Sequence, residues 1–100
     1  MGKIIWAPSA LDDIEAIARY IERDSIDQAA LFVTRIIEMT DHLEGFPESG
    51  RIIPEINKKD CREIIYGAYR IMYRIVKNEI WIVGVVHAAR NWHPEKSKDA

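Results

Sequence analysis

Residues 62–90, REIIYGAYRIMYRIVKNEIWIVGVVHAAR, constrain the chain most, because they read as three consecutive β-strands joined by short turns. The segments Arg62–Tyr66, Tyr69–Lys77 and Ile80–His87 are rich in β-branched and aromatic residues, and Gly67-Ala68 and Asn78-Glu79 separate them. If Asn78-Glu79 is a two-residue turn, Lys77 pairs with Ile80, Tyr73 with Gly84 and Arg70 with His87. Side chains alternate along a strand, so this register puts Arg70, Met72 and Arg74 on one face with His87, Val85 and Val83. Tyr69, Ile71, Tyr73 and Ile75 point the other way. One face then reads as core and the other as a site, with Arg70 and His87 as direct cross-strand neighbours.

The rest of the chain supplies what such a sheet needs for cover. Lys3–Ala7 (KIIWA) suits a short strand, and Pro8 opens a helix at the first position, where a missing N–H costs nothing. Leu11, Ile14, Ala18 and Ile21 recur at spacings of three and four, giving an amphipathic helix to about Arg23. Ser25 and Gln28 have capping-box spacing. The apolar residues Ala29, Ala30, Phe32, Val33, Ile36, Ile37 and Leu43 then define a second, longer helix ending at Gly45 and Pro47. The connection is short, so the two helices form an antiparallel hairpin whose apolar stripes can cover a sheet. Gly50 and Pro54 bracket a short strand at Arg51–Ile53, and Asn57–Asp60 reads as a polar loop. The tail from Ala88 to Ala100 is polar and contains a proline.

One hundred residues make a single domain, 1–100, of the α+β class. The lone Cys61 excludes an internal disulfide, and no segment resembles a signal peptide or an apolar span of about 20 residues. A cytoplasmic location is expected. The formal net charge of −2 conceals a division: residues 1–50 carry 4 Lys+Arg against 10 Asp+Glu, and residues 51–100 carry 10 against 6. A basic half that also holds the strands suits contact with phosphate or with an acidic protein. His42, His87 and His93 lack metal-ligand spacing, so neither a metal nor another cofactor is expected.

The order β-α-α-β-β-β carries WAPSALDDIEAIARYI at the start and AALFVTRI in the second helix, followed by PESGRIIPE, REIIYGAYRIMYRI and IWIVGVVHAAR. With that order and spacing the chain resembles the RelE/ParE superfamily of toxins from type II toxin–antitoxin operons, over nearly its whole length. The resemblance implies a helical hairpin packed on a small, mainly antiparallel sheet, a bacterial or archaeal cytoplasm, and a cognate antitoxin that wraps the toxin in a hetero-oligomer. Members of the superfamily are either ribosome-dependent messenger-RNA endonucleases or inhibitors of DNA gyrase. The shared fold does not choose between them.

In the ribonuclease branch the chemistry is metal-independent transesterification, in which a base takes the 2′-hydroxyl proton, a cation stabilises the phosphorane and an acid protonates the leaving oxygen. By resemblance those positions are Glu55 as base, Arg70 as phosphate clamp and His87 as acid, with Arg62, Arg74 and Arg90 as further phosphate or target contacts. The branch's aromatic residue after the histidine is Ala88 here. Each residue also has a plainer reading. Arg70 can pair with Glu63 or another acid, His87 can be a hydrogen-bonded scaffold histidine, and Glu55 can be solvated. Asp12–Asp13 can complement a helix dipole. Trp6, Trp81 and Trp92 can be packing residues as readily as stacking platforms. The reading favoured is a toxin that binds its target in the manner of the gyrase inhibitors. The alternatives are a ribosome-dependent endoribonuclease and a detoxified homologue that only binds its antitoxin.

Overall fold

The structure, a computed structural model, describes residues 2–88. Its elements are β1 (Lys3–Trp6), α1 (Pro8–Glu22), α2 (Ile26–His42), β2 (Arg51–Ile52), β3 (Cys61–Tyr66), β4 (Tyr69–Val76) and β5 (Glu79–His87). They form a five-stranded sheet in the order β1-β5-β4-β3-β2, antiparallel except for the parallel pair β1·β5, with the helical hairpin on one face. This is the expected α+β architecture.

Local chemistry sets the helix boundaries. Pro8 occupies the first turn of α1, and the Ser25 hydroxyl caps α2 by accepting from the Gln28 N–H at 3.1 Å. The buried stripe of α1 differs from the expected one: Ala10, Ile14, Ile17 and Ile21 face the sheet, whereas Leu11 is half exposed. On α2, Ala29, Phe32, Ile36 and Thr40 are buried, while Ala30 and Ile37 face outward. Thr40 has no exposed surface because its hydroxyl returns to the Ile37 carbonyl at 3.0 Å. These helices cover Tyr69, Ile71, Tyr73 and Ile75 of β4 together with Ile80, Ile82 and Val85 of β5, so the alternation expected for β4 holds.

The β4·β5 register does not hold as expected. The turn is Lys77-Asn78, closed by the pair Val76↔Glu79, and Lys77 takes the left-handed φ of 56°. From there Ile75 pairs with Ile80 and Tyr73 with Ile82, after which β5 gains one residue and Met72 pairs with Gly84. The reason for this bulge at Val83 lies in the apolar pattern. A strict period of two would leave either Ile80 and Ile82 or Val85 outside the core, and one extra residue lets all three face the helices.

The bulge is tied from above. The Ser9 hydroxyl donates to the Val83 carbonyl at 2.8 Å, and the Val85 N–H donates to the Asp13 carboxylate at 2.9 Å. β1 accompanies β5 only through Ile82, so these two side chains of α1 satisfy backbone groups beyond the end of that pairing. Asp13 is therefore a tether to the sheet and not the dipole-complementing charge expected of it.

Candidate functional site

On the face away from the helices, the cross-strand pairs bring Arg51 of β2 beside Glu63 of β3, Glu63 beside Met72 of β4, and Ile65 beside Arg70. Two of the charged side chains on this face are withdrawn from water. The Glu63 side chain is wholly buried and that of Arg70 is 5% exposed, so each charge requires a partner. Arg70 donates from Nε to Glu63 Oε1 at 2.7 Å, and from Nη1 and Nη2 to the two oxygens of Glu55, each at 2.7 Å. Arg51 completes the row by donating from Nε to the other Glu63 oxygen at 2.5 Å. Two guanidinium groups and two carboxylates thus interlock with zero net charge, and the fork of Arg70 is engaged on all three of its nitrogens. These contacts hold the Arg70 guanidinium further toward its charged form than usual, the bond to Glu55 contributing most and burial opposing it.

Glu55 reaches Arg70 from a turn. Pro54 takes the second position of the Ile53–Ile56 turn, the N–H groups of Ile56 and Asn57 return to the Ile53 carbonyl at 3.1 and 2.7 Å, and Asn57 adopts φ 56°. Ile53 is the buried anchor of that turn. Beside it lies an open hollow of about 360 Å³ lined by Arg51, Pro54, Glu55, Arg70 and Ala88.

His87 does not join this group. It pairs with Tyr69, and Val86 is the residue opposite Arg70, so His87 lies on the helix-side face with its ring edge-on to Tyr69 at 5.9 Å between centroids. The expected shared face of Arg70 and His87 is overturned by the bulge at Val83, because moving the turn to Lys77-Asn78 shifts the pairing by two residues and by itself keeps each side chain on its face. Val85 likewise pairs with Ile71 in the core. The open-face partners of Arg70, Met72 and Arg74 on β5 are Val86, Gly84 and Trp81.

The remaining candidates are scattered. Arg62 staples two loops, donating from Nε to the Lys59 carbonyl at 2.9 Å and from Nη1 to the carbonyls of Gly50 and Glu48 at 2.9 and 3.3 Å. Arg74 is exposed, 3.9 Å from Asp60. Arg90, Trp92, His93 and the expected polar tail lie outside the described residues. Among the described residues no three of His, Cys, Asp and Glu come together as a metal site. Burial, with Asp60 alongside, pushes the Cys61 thiol up, which favours the unreactive protonated form.

Tyr73 does more than fill the core. It is wholly buried, donates its hydroxyl proton to the Pro47 carbonyl at 2.7 Å and accepts the Gly50 N–H at 3.0 Å. A Cβ added at Gly50 would come within 2.6 Å of that hydroxyl and of the Glu63 carbonyl, so only glycine permits the approach. The 47–50 loop is consequently pinned from beneath by Tyr73 and from the side by Arg62.

A helical hairpin on a five-stranded mixed sheet, with a charge-balanced row on the open face, defines a small α+β scaffold, and comparison with known proteins assigns its family. The family model described as the ParE toxin of the type II toxin–antitoxin system parDE matches residues 4–92, and the chain belongs to that family. It is 37% identical over 92 residues to the "Putative toxin Y4kP" of Sinorhizobium fredii, an alignment covering 90% of this chain and 92% of that protein. The solved structure titled "Chromosomal ParDE TA system from P. aeruginosa" superposes with a TM-score of 0.70 at 21% identity, covering 87% of this chain and 96% of that one, and shows the shared fold. The protein is thus a type II toxin of the ParE family, and a toxin–antitoxin complex is the assembly that family defines.

Proposed function

We propose that this toxin arrests growth by binding DNA gyrase, without catalysis of its own, and that a cognate antitoxin neutralises it. The observation that carries the reading is the separation of the catalytic candidates: Glu55 and Arg70 are locked together on the open face while His87 packs against Tyr69 on the other. Transesterification needs base, cation and acid converging within hydrogen-bond reach of one phosphate. Here the base candidate neutralises the cation, and the acid candidate faces away. Binding makes a lesser demand, which Arg51, Arg74, Lys58 and Lys59, exposed at the β2–β3 side, can meet on an acidic surface. Arg62, Arg74 and Arg90 are retained as target contacts in this reading.

For the antitoxin, the outward apolar side chains Leu11, Tyr20, Ile26, Leu31 and Ile37 lie on the helical hairpin, where an amphipathic segment with acidic residues can dock. Both partners of such an interaction belong in the cytoplasm. None of the described helices is long and apolar enough to cross a membrane.

Purified toxin is to be assayed for inhibition of gyrase supercoiling and for codon-dependent cleavage of messenger RNA on ribosomes. Inhibition of supercoiling is expected to survive His87→Gln and to weaken on charge reversal at Arg74 or Arg90 or on removal of the segment from Asn91 onward. Cleavage that vanishes in His87→Gln, with supercoiling unaffected by the wild-type protein, would establish the ribonuclease instead.

A further inference from the structure

We propose that the two hollows beside the Phe46–Ser49 turn form one docking groove for a basic peptide segment of a partner protein, held by its apolar side chains. The groove is built where α2 ends. Phe46, Pro47 and Ile75 line a hollow of about 380 Å³, and Met39, Leu43 and Ile64 line another of about 370 Å³. Ser49 borders both, which makes them adjacent lobes. The wall is fixed in place before any partner arrives. The Phe46 N–H bonds to the His42 carbonyl at 3.3 Å, and its ring, 60% exposed, stacks on the His42 imidazole with 4.8 Å between centroids. The Ser49 N–H returns to the Phe46 carbonyl at 3.1 Å with Pro47 at the second position of the turn, and Tyr73 and Arg62 hold the loop from beneath and from the side. An occupant thus meets a preformed apolar depression, so little ordering on this side opposes its binding.

Charge decides what the groove takes. Residues 38–48 contain Glu38, Asp41, Glu44 and Glu48 and no lysine or arginine, and all four acids are exposed. Glu38 and Glu48 border the groove itself. Arg35 offsets Glu38 only weakly, because the two pair at 3.2 Å with both side chains more than half exposed, and the Arg62 guanidinium is engaged with loop carbonyls. An acidic segment is repelled from this rim, whereas one whose lysines or arginines flank apolar anchors is attracted to it. The acidic first half of the chain, which binding through the basic β2–β3 side leaves without a use, acquires one here. The groove is separate from that basic side, so the inference stands whether or not gyrase is the target.

The test screens the full-length toxin against phage-displayed random dodecapeptides, after depletion on the triple variant Phe46→Ser/Glu38→Lys/Glu48→Lys to remove peptides that bind elsewhere. Enriched sequences are expected to combine lysine or arginine with leucine, phenylalanine or tryptophan. The most enriched peptide is then labelled with fluorescein and titrated by anisotropy. Its affinity should fall about tenfold or more in Phe46→Ser and in Glu38→Lys/Glu48→Lys, and about fivefold or more between about 50 and about 500 mM salt. Deleting residues 91–100 should leave it unchanged.

Folding is checked by circular dichroism, and Glu38→Lys/Glu48→Lys, which alters only exposed side chains, serves alone for depletion and titration if Phe46→Ser does not fold. Failure to enrich any groove-dependent peptide, enrichment of acidic sequences, or equal affinity for wild type and the charge-reversed protein overturns the proposal. Self-association of the toxin that the same substitutions abolish would give the groove to a second copy, and tighter peptide binding after deletion of residues 91–100 would give it to the chain's own tail. Either result overturns it too.

Discussion

Replacing Arg70 by methionine separates a scaffold role from a chemical one. Methionine retains much of the aliphatic stem, so the cavity is small and the loss is chiefly that of three charge-assisted bonds at 2.7 Å. The carboxylates left behind differ in consequence. Glu55 is partly exposed and can turn to water, but Glu63 has no exposed side-chain surface and would retain only Arg51, whose own side chain is 62% exposed. Removing one member of a buried ion pair costs about 3–5 kcal/mol, and this site belongs in that range because Glu63 has no route to solvent. For a domain of this size that is a fall in Tm on the order of 15–30 °C. Exchanging both buried charges for apolar groups removes the stranded carboxylate, so Arg70→Met/Glu63→Leu is expected to recover most of the loss. Guanidinium denaturation followed by circular dichroism measures both variants. An Arg70→Met protein within about 1 kcal/mol of wild type, or a double variant no more stable than the single one, would refute the reasoning.

Tyr73→Phe strands the Gly50 N–H and the Pro47 carbonyl and should cost about 1–3 kcal/mol at neutral pH, read from the same denaturation curves. Burial pushes the Tyr73 phenol above its usual value of 10.0. The unfolded chain therefore releases that proton first, stability falls as pH rises beyond about 10, and Tyr73→Phe should flatten this alkaline decline in a series of melts. Asp13→Ala removes the acceptor for the Val85 N–H and should destabilise by about 1–2 kcal/mol, whereas Asp13→Asn, which keeps an acceptor oxygen, should lose less than half of that by denaturant midpoint. Iodoacetamide should alkylate Cys61 at pH 7.5 more slowly than it alkylates glutathione, and the rate should climb with pH into the alkaline range, as mass spectrometry would follow.

Most of the architecture was legible because its signals were redundant. Pro8, the Ser25 cap and the apolar periodicities each point to the same helical hairpin, and β-branched runs broken by turn residues mark β3, β4 and β5 to within a residue or two. The alternation of β4 also separated Arg70 from the core without the help of tertiary structure. Register was harder to read. Asn78 is the more usual left-handed residue, yet Lys77 takes that conformation, which moves the pairing by two residues without changing faces; the bulge, which leaves no mark in composition, adds the odd residue that carries His87 to the other face. Glu55 and Arg70 were both named, but their mutual grip depends on where the Ile53–Ile56 turn packs, a long-range fact. The plainer reading of Arg70 as a partner of Glu63 held, since an acid at the midpoint of a strand must find a cation on its own face.

The parallel pairing of β1 with β5 has a bearing on when the toxin can exist at all. Lys3–Trp6 finds its hydrogen-bond partners only at Glu79–Ile82, so the first strand waits for the last before the sheet can close. A chain still being synthesised can form the helical hairpin, but its apolar stripes have no β4 or β5 to cover until more than three quarters of the residues have been made. An interrupted translation product that stops short of β5 leaves β1 unpaired and the helices without a core. Under the proposed function, this connectivity makes completion of the message a condition of potency.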